Sequence, residues 1–375
     1  MLPRTPGPTT SSSTCTRRDT SLPLSLERNK CPPSARDSSR DASVERCVLA
    51  ILTVLEAVRD AMREEMRRDE RVFVMGEDIG ARGGVFLATE GFQDEFGEER
   101  VIDTPLAESS IAAVALGAAM NGMRPIAEIE FADFIWPTMN QIVGEAARVR
   151  YGTNGKLNVP MVLRAPQGGG VRGALYHSQS VEVFFAHTPG LKVVTPATPY
   201  DAKGLLKSAI RDDDPVVFLE HKRTYRLVRG EAPEEEYTIP LGKADVKVEG
   251  DGLSVITYGL MVHHCIEAAG VLAEEGVDVE VVDLRTLRPL DTETILTSVR
   301  KTGKALIVHE DTLAGGIGGE VASIIAQEAF EHLDGPVTRL AGPEVPAMPF
   351  SPPMEAKFML DTGKIAAAMR KLAAY

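Results

Sequence analysis

The segment Asp103-Thr-Pro-Leu-Ala-Glu-Ser-Ser-Ile111 carries a carboxyl group, Glu108, directly before a run of apolar and small residues, Ile111–Met120. Such a run predicts a buried helix, so the side chain of Glu108 is expected at the edge of a hydrophobic layer. A carboxyl there could stay protonated or share a proton, as acid–base chemistry requires. A helix N-terminal charge satisfied by backbone amides fits the same position, and the spacing alone leaves both interpretations open.

A histidine, His177, is the second candidate for chemistry. It follows the glycine-rich run Gly168–Gly173, which comes after a predicted strand but does not lead into a helix. Glycines in that context favour a loop over a site rather than a phosphate cradle. An imidazole in such a loop could donate or accept a proton near neutral pH, although many loop histidines are only solvated.

Another glycine cluster, Gly315–Gly319, follows a strand that ends at His309 and opens a helix. That is the context of a dinucleotide fingerprint, but Val321 occupies the position of the third glycine. The cluster therefore does not predict a nicotinamide cofactor.

These candidates lie on or between elements that alternate along the chain. Thr53 and Glu56 have capping-box spacing at the start of one predicted helix. The other elements predicted from apolar periodicity are strands at 72–75, 125–131, 161–165, 191–195, 216–220, 253–258, 279–284, 305–309 and 337–340, and helices at 111–120, 137–151, 200–210, 262–275, 291–300 and 318–330. Alternation of this kind predicts the α/β class, with parallel or mostly parallel sheets covered by helices.

The length of 375 residues predicts two domains. Residues 1–45 are rich in Ser, Thr and Pro, which predicts a disordered extension or a misassigned start rather than a targeting peptide. The acidic, proline-bounded stretch EAPEEEYTIP has neither helical nor strand periodicity and is interpreted as a connection. The predicted boundaries are 46–230 for the first domain, 231–243 for the linker and 244–375 for the second domain.

The composition argues against several classes of protein. The net charge of -13 makes nucleic acid an unlikely class of partner, because phosphate binding needs a basic surface. Apolar runs are too short to span a bilayer, which argues against a membrane protein. Four cysteines without a CxxC pair predict neither a disulfide framework nor a zinc site.

Motifs along the chain together resemble one protein family. They are GED (76–78), TPLAES (104–109), FADF (131–134), GGGVRG with YHSQS (168–180), TPATPYDAKGLL (195–206) and VVDLRTLRPLD (281–291). From about residue 50 to the C-terminus, the chain resembles the beta subunit of the thiamine-diphosphate-dependent first component of 2-oxo acid dehydrogenase complexes, a relative of transketolase. The resemblance implies a thiamine-diphosphate-binding (pyrimidine) fold followed by a transketolase C-terminal domain.

The resemblance also implies roles for the candidate residues. Glu108 is implied to bind N1′ of the cofactor's aminopyrimidine and to favour its imino tautomer. Phe134 is implied to stack on the pyrimidine ring, with Leu106 and Glu130 near it. His177 is implied to assist decarboxylation or acyl transfer to a lipoyl group.

Metal binding enters only through the resemblance. A potassium ion is implied at Ala209, Asp212 and Asp214, with further carbonyls from Met161 and Val162, and oxygen ligands suit such a hard cation. Gly250-Asp-Gly252 begins like the magnesium and diphosphate signature of this family, but no asparagine lies between Glu275 and Asp283. A turn is therefore the favoured interpretation of that segment. An alpha subunit is then implied to hold most of the Mg²⁺ site, so that thiamine diphosphate is shared between the subunits.

The implied partners are that alpha subunit, in an α2β2 heterotetramer, and the lipoyl-bearing acyltransferase of the complex. The motifs favour a branched-chain 2-oxo acid as substrate, with pyruvate as the alternative. Self-contained transketolase-like enzymes and a noncatalytic scaffold stay open as other classes. The implied location is the bacterial cytoplasm, with the mitochondrial matrix as the alternative.

Overall fold

Two mostly parallel β-sheets covered by helices, together with one two-stranded antiparallel sheet, form the described part of the protein, residues 49–375 of a computed structural model. The predicted extension 1–45 lies outside the described residues. The strands are β1 (Leu49–Thr53), β2 (Val72–Gly76), β3 (Val101–Asp103), β4 (Arg124–Glu128), β5 (Val162–Gln167), β6 (Lys192–Val194), β7 (Val216–His221), β8 (Arg229–Pro233), β9 (Asp245–Val248), β10 (Leu253–Thr257), β11 (Val279–Asp283), β12 (Thr286–Arg288), β13 (Ala305–Thr312) and β14 (Thr338–Gly342).

The helices lie between the strands and after the last one. They are α1 (Val54–Arg68), α2 (Phe92–Phe96), α3 (Glu108–Met120), α4 (Ala147–Gly152), α5 (Glu182–Ala186), α6 (Pro199–Arg211), α7 (Thr224–Leu227), α8 (Leu260–Glu274), α9 (Thr292–Thr302), α10 (Ile317–Glu328), α11 (Pro352–Phe358) and α12 (Thr362–Ala373). Helix α1 begins with the predicted capping box, since the Thr53 side chain accepts from Glu56 N and the Glu56 side chain accepts from Thr53 N.

The larger sheet has seven strands in the order β12-β6-β7-β5-β4-β2-β3. All neighbouring pairs in it are parallel except β12 with β6. Strands β2, β5 and β7 are buried along their whole length, which explains why they are mainly apolar and show no alternating pattern. The parallel α/β arrangement confirms the predicted fold class.

The smaller sheet has the order β14-β13-β10-β11-β9, and only the edge pair β9–β11 is antiparallel. Helices α8 and α12 pack together against this sheet, and α8 buries Leu260, Cys265 and Leu272. The two C-terminal helices, α11 and α12, were not predicted. In the described residues no helix is both long and apolar enough to cross a bilayer.

Several elements differ from the prediction. The strand expected at 125–131 ends at Glu128, because the next residues leave the sheet and form a 3-10 turn at Ala132–Phe134. The helix expected at 137–151 is a 3-10 turn, a π-helix over Asn140–Ala146 and then α4, and apolar spacing does not distinguish these windings.

The predicted linker also differs in its local structure. It begins within β8, which pairs antiparallel with β1, so the start and end of the first predicted domain lie side by side. Strand β12 comes from the second half of the sequence, yet it joins the edge of the larger sheet beside β6. Strand β12 has three residues, too few for a clear apolar period, and β8 has the sequence RGEAP, which has no apolar alternation. The predicted domain boundaries stay a prediction.

A buried guanidinium connects the central strands of the larger sheet. Arg164 on β5 is 1% exposed and lies 2.5 Å from Glu128 Oε2 on β4 and 2.7 Å from Glu220 Oε1 on β7. Burial opposes ionisation of Glu220 and raises its pKa, while Arg164 favours the ionised form. The three side chains therefore link three neighbouring strands of the sheet. Each buried charge is compensated by an opposite charge in the same group.

Replacing Arg164 by methionine leaves two buried carboxyl groups without their cation. The expected cost is about 3–5 kcal/mol of unfolding free energy, measured by urea denaturation at pH 7. Arg71→Met is the control, because Arg71 pairs with Asp69 at the surface and its loss should cost less than about 1 kcal/mol. Equal losses in the two variants would contradict the importance of the buried group.

Candidate active site

Four of the motifs singled out in the sequence meet at one edge of the larger sheet. Strands β5, β4, β2 and β3 are parallel neighbours, so their carboxyl ends lie side by side. These ends lead into the glycine-rich run, the FADF segment, the GED segment and the TPLAES segment, respectively. Thr104 N donates to Gly76 O at 2.9 Å, which fixes two of the segments to each other. The carboxyl edge is where open α/β sheets bind their ligands.

Glu108 is the first residue of α3 and is half-buried. The helix has the expected apolar layer on one side, where Ile111, Ala112 and Ala115 are buried. Its other side is apolar but exposed, with Val114 55% exposed. Leu106, just before the helix, is 70% exposed, so a large apolar side chain lies open beside the carboxyl group.

Other acidic residues surround this position. Burial raises the pKa of Glu130 to about 7, and the nearby charges of Glu77 and Asp78 act in the same direction. Burial likewise raises the pKa of Glu77, with contributions from Asp78 and Glu108. The charge of Glu77 thus interacts with both predicted carboxyl groups, Glu108 and Glu130. Glu77 was not predicted as a site residue, although it is part of the GED motif.

The structure brings together His177 and Phe134. Their ring centroids are 5.3 Å apart in an edge arrangement, and Phe131 contacts both rings at 4.5 Å from His177 and 5.9 Å from Phe134. Phe131 also contacts Phe86 at 5.4 Å. Edge contacts of this kind fix aromatic rings in position, and they give His177 an apolar wall on one side. Phe131 and Phe86 were not predicted as site residues.

His177 belongs to a loop between β5 and α5, which we call the His177 loop (residues 168–181). The buried carboxylate of Asp133 accepts hydrogen bonds from Ser178 N at 3.1 Å and Gln179 N at 3.2 Å. Gln167 Oε1 accepts from Val181 N at 3.2 Å. The aspartate of the FADF motif thus fixes the loop directly after His177, a role that its position in the sequence did not reveal.

The residues implied in potassium binding lie at the opposite edge of the same sheet, where β5 begins. Segments 209–214 and 159–162 are adjacent there, since Val159 N donates to Asp213 O. Lys192 Nζ lies 2.7 and 2.6 Å from the two oxygens of Asp212 and 3.6 Å from Asp214 Oδ2. The backbone carbonyls of Ala209 and Met161 accept from Asp212 N and Val216 N. The structure therefore brings the predicted ligands together, but with an ammonium group on their carboxylates.

Replacing Glu130 by glutamine tests the electrostatics of the site. Because the pKa of Glu130 in the folded chain is about 7, its favourable contribution is complete below the usual value of 4.5 and is lost as the pH rises through 7. Glu130→Gln should therefore raise the melting temperature of the chain at pH 8, and this gain should disappear at pH 4. Glu98→Gln, at an exposed carboxyl, is the control, and a difference that does not vary with pH would contradict the interpretation.

Comparison with known proteins gives a family for this chain. Residues 51–228 match the model of the transketolase pyrimidine binding domain, and residues 242–365 match the transketolase C-terminal domain. The chain is also similar to a solved structure described as a split gene transketolase, inactive beta4 tetramer. That match has a TM-score of 0.69 and 22% identity and covers 86% of this chain and 98% of the other. At that identity the structural match establishes the fold alone.

Two relatives from Bacillus subtilis (strain 168) are much more similar in sequence. The 2-oxoisovalerate dehydrogenase subunit beta is 61% identical over 308 residues, which is 82% of this chain and 94% of the relative. The pyruvate dehydrogenase E1 component subunit beta is 55% identical over 283 residues, or 76% and 87% of the two chains. The resemblance found in the sequence motifs is confirmed: the chain belongs to the transketolase-like family of 2-oxo acid dehydrogenase beta subunits.

Proposed function

We propose that this chain is the beta subunit of a branched-chain 2-oxo acid dehydrogenase, which works with an alpha subunit and thiamine diphosphate. One observation carries the proposal. The segments that contain Glu108, Glu130, Phe134 and His177 lie together at one edge of the larger sheet. The 61% identity to a 2-oxoisovalerate dehydrogenase subunit favours a branched-chain acid over pyruvate. The enzyme would oxidatively decarboxylate the acid and transfer its acyl group to a lipoyl domain.

The chemistry of the residues fits the pyrimidine half of thiamine diphosphate. A flat heteroaromatic ring gains from the aromatic face of Phe134 and from an open apolar side chain such as Leu106. Glu77, Glu108 and Glu130 give the edge acidic character, which suits a cationic cofactor ring. Thr104 Oγ1 is buried and has no hydrogen-bond partner among residues 49–375, so a polar donor or acceptor is still available there.

The roles of the side chains follow from this arrangement. Thiamine diphosphate, when bound, supplies the nucleophilic carbon and the electron sink for decarboxylation. Glu108 would hold a proton between its carboxyl group and N1′ of the pyrimidine. Phe134 would orient the ring, with the apolar side chain of Leu106 and the carboxyl group of Glu130 near it. His177, held against Phe131 and Phe134, would donate a proton or a hydrogen bond during decarboxylation or acyl transfer.

An alpha subunit would complete the site. Leu106 and the outer side of α3, including Val114, are apolar and exposed, which suits a subunit interface next to Glu108. Asp251 lies in a bend, where its backbone amide donates to Asp278, and this suits a turn rather than a metal ligand. We therefore assign most of the Mg²⁺ and diphosphate binding to the alpha subunit of an α2β2 heterotetramer. The lipoyl-bearing acyltransferase would be the second partner.

Potassium binding and location are further parts of the proposal. A potassium ion at Asp212 and Asp214 would have to displace the ammonium group of Lys192 or share the carboxylates with it. The carbonyls of Ala209, Met161 and Val162 would supply the other oxygens. The bacterial relatives support a cytoplasmic location.

Reconstitution tests the function directly. The chain, an alpha subunit of the same family, thiamine diphosphate and Mg²⁺ should together acylate a lipoyl domain faster with 2-oxoisovalerate than with pyruvate, measured as kcat/KM. The isolated chain should not turn over either acid. Faster turnover of pyruvate would instead support a pyruvate dehydrogenase subunit, and activity of the isolated chain would support a self-contained enzyme.

Glu108→Gln tests the proton-transfer role. The amide keeps the shape of the side chain but cannot exchange the proton, so decarboxylation in the reconstituted enzyme should fall by about 100-fold or more. Gel filtration should still detect the complex with the alpha subunit. Glu320→Gln is the matched control, because Glu320 occupies the first turn of α10 on the other sheet. Near-normal activity of Glu108→Gln would rule out the assignment.

A further inference from the structure

The His177 loop contains backbone conformations that side chains rarely adopt. Arg172 has φ +61° and Ala174 has φ +53°, although neither is glycine. Gly168 and Gly170 also have positive φ, at +85° and +76°. Non-glycine residues in the left-handed region are disfavoured, so the surrounding structure must hold them. The contacts that do so are candidates for control of the position of His177.

Carboxylates hold the loop at three points. Glu310 Oε1 accepts from Gly169 N at 2.6 Å, and Glu355 Oε1 accepts from Arg172 N at 2.9 Å. Asp133, described above, accepts from Ser178 N and Gln179 N on the other side of His177. Glu310 and Glu355 are 8% and 7% exposed, and buried carboxylates that accept N–H groups form charge-assisted bonds. Both lie in the C-terminal part of the chain, on β13 and α11.

Glu310 is itself fixed in position by a histidine. Its Oε2 lies 2.9 Å from His221 Nε2, and His221 Nδ1 accepts from Arg223 N at 3.1 Å. Since Nδ1 accepts, Nε2 carries the proton and donates to Glu310. Burial opposes the ionisation of Glu310, but His221, Gly169 N and Lys222 together hold its pKa below the usual range. Both oxygens of Glu310 are therefore acceptors for different donors.

Lys222, the residue after His221, is a buried cation whose charge interacts with both Asp133 and Glu310. Burial lowers the pKa of Lys222 to about 8, while the charges of Asp133 and Glu310 oppose that shift. Its ammonium group lies 5.7 Å from the centroid of the Phe131 ring, which contacts His177. One buried cation thus lies near a carboxylate on each side of His177.

We propose that Glu310 and Glu355 are positioning residues, which hold the strained His177 loop through Gly169 N and Arg172 N so that His177 stays against Phe131 and Phe134. The C-terminal region thereby sets the geometry of a site built mainly by the larger sheet. The catalytic meaning rests on the function proposed above, whereas the holding of the loop is a property of the chain alone.

Two variants of Glu355 distinguish the effect of the hydrogen-bond acceptor from the effect of the negative charge. Glu355→Gln keeps an oxygen that can accept from Arg172 N, whereas Glu355→Ala removes the acceptor. Glu344→Ala is the matched control, because the exposed Glu344 accepts a backbone N–H from Ala314 at 2.7 Å elsewhere in the same region. Glu310→Gln is a second test, since an amide has one acceptor oxygen for the two donors that Glu310 now serves.

Tryptic cleavage after Arg172 measures loop opening without any assay of activity, because Arg172 is exposed and trypsin cleaves after arginine. In the full-length chain, Glu355→Ala and Glu310→Gln should be cut about tenfold faster than the parent, in line with the loss of one charge-assisted bond. Glu355→Gln and Glu344→Ala should be cut at the parental rate. Unchanged cleavage in both Glu355→Ala and Glu310→Gln would overturn the proposal, even if the enzyme proves to have another function.

Kinetics in the reconstituted complex then test the catalytic consequence. Glu355→Ala should lower the rate of lipoyl-domain acylation by about tenfold while the dissociation constant for thiamine diphosphate stays within about twofold of the parent. Glu355→Gln should restore the rate, and His177→Ala sets the scale of complete loss. Parallel losses of acylation and cofactor affinity, or equal losses in Glu355→Ala and Glu355→Gln, would overturn the positioning role.

Discussion

The group formed by Glu128, Arg164 and Glu220 is the constraint on which the arrangement of the site depends. Strands β4, β5 and β7 each contribute one of its side chains, and β4 and β5 lead directly into segments of the site. A buried guanidinium between two carboxyl groups fixes the register of neighbouring strands, because a shift of one residue would point the charges into opposite layers. The segments that follow therefore start from fixed positions.

A second buried network joins the two sheets. Arg285 Nη2 lies 2.6 Å from Asp201 and 2.8 Å from Asp245, and Lys247 contacts Asp201 at 2.8 Å. Asp201 lies on α6, a helix that packs on the larger sheet. Asp245 and Lys247 belong to the edge strand of the smaller sheet. Burial raises the pKa of the adjacent Asp283 to about 7, which reflects how little water reaches this contact. Moving one sheet relative to the other would leave buried charges without their partners. These ion pairs therefore hold the two sheets in one relative arrangement.

The sequence predicted most of the regular structure, for a physical reason. Buried parallel strands such as β5 and β7 begin with apolar residues, and the capping box at Thr53 is a local signal, so both can be recognised without the fold. The π-helix over Asn140–Ala146 and the short pairing of β12 with β6 depend on tertiary packing and have no local signature. Motif resemblance assigned Glu108, Phe134 and His177 to the site, and that assignment stays a prediction. Glu310 and Glu355 were not singled out, because their partners are distant backbone amides.

Strand β12 has a consequence for how such chains can be recombined. It lies at the edge of the larger sheet, where it covers β6, although it comes from the half of the sequence that builds the smaller sheet. A chimaera that joins the first half of this chain to the second half of a relative would bring a foreign edge strand. If that strand did not match β6, the exposed edge could pair with other chains. Crossover points that keep Thr286–Arg288 with its own β6 preserve the sheet, even though they cut through the second half of the sequence.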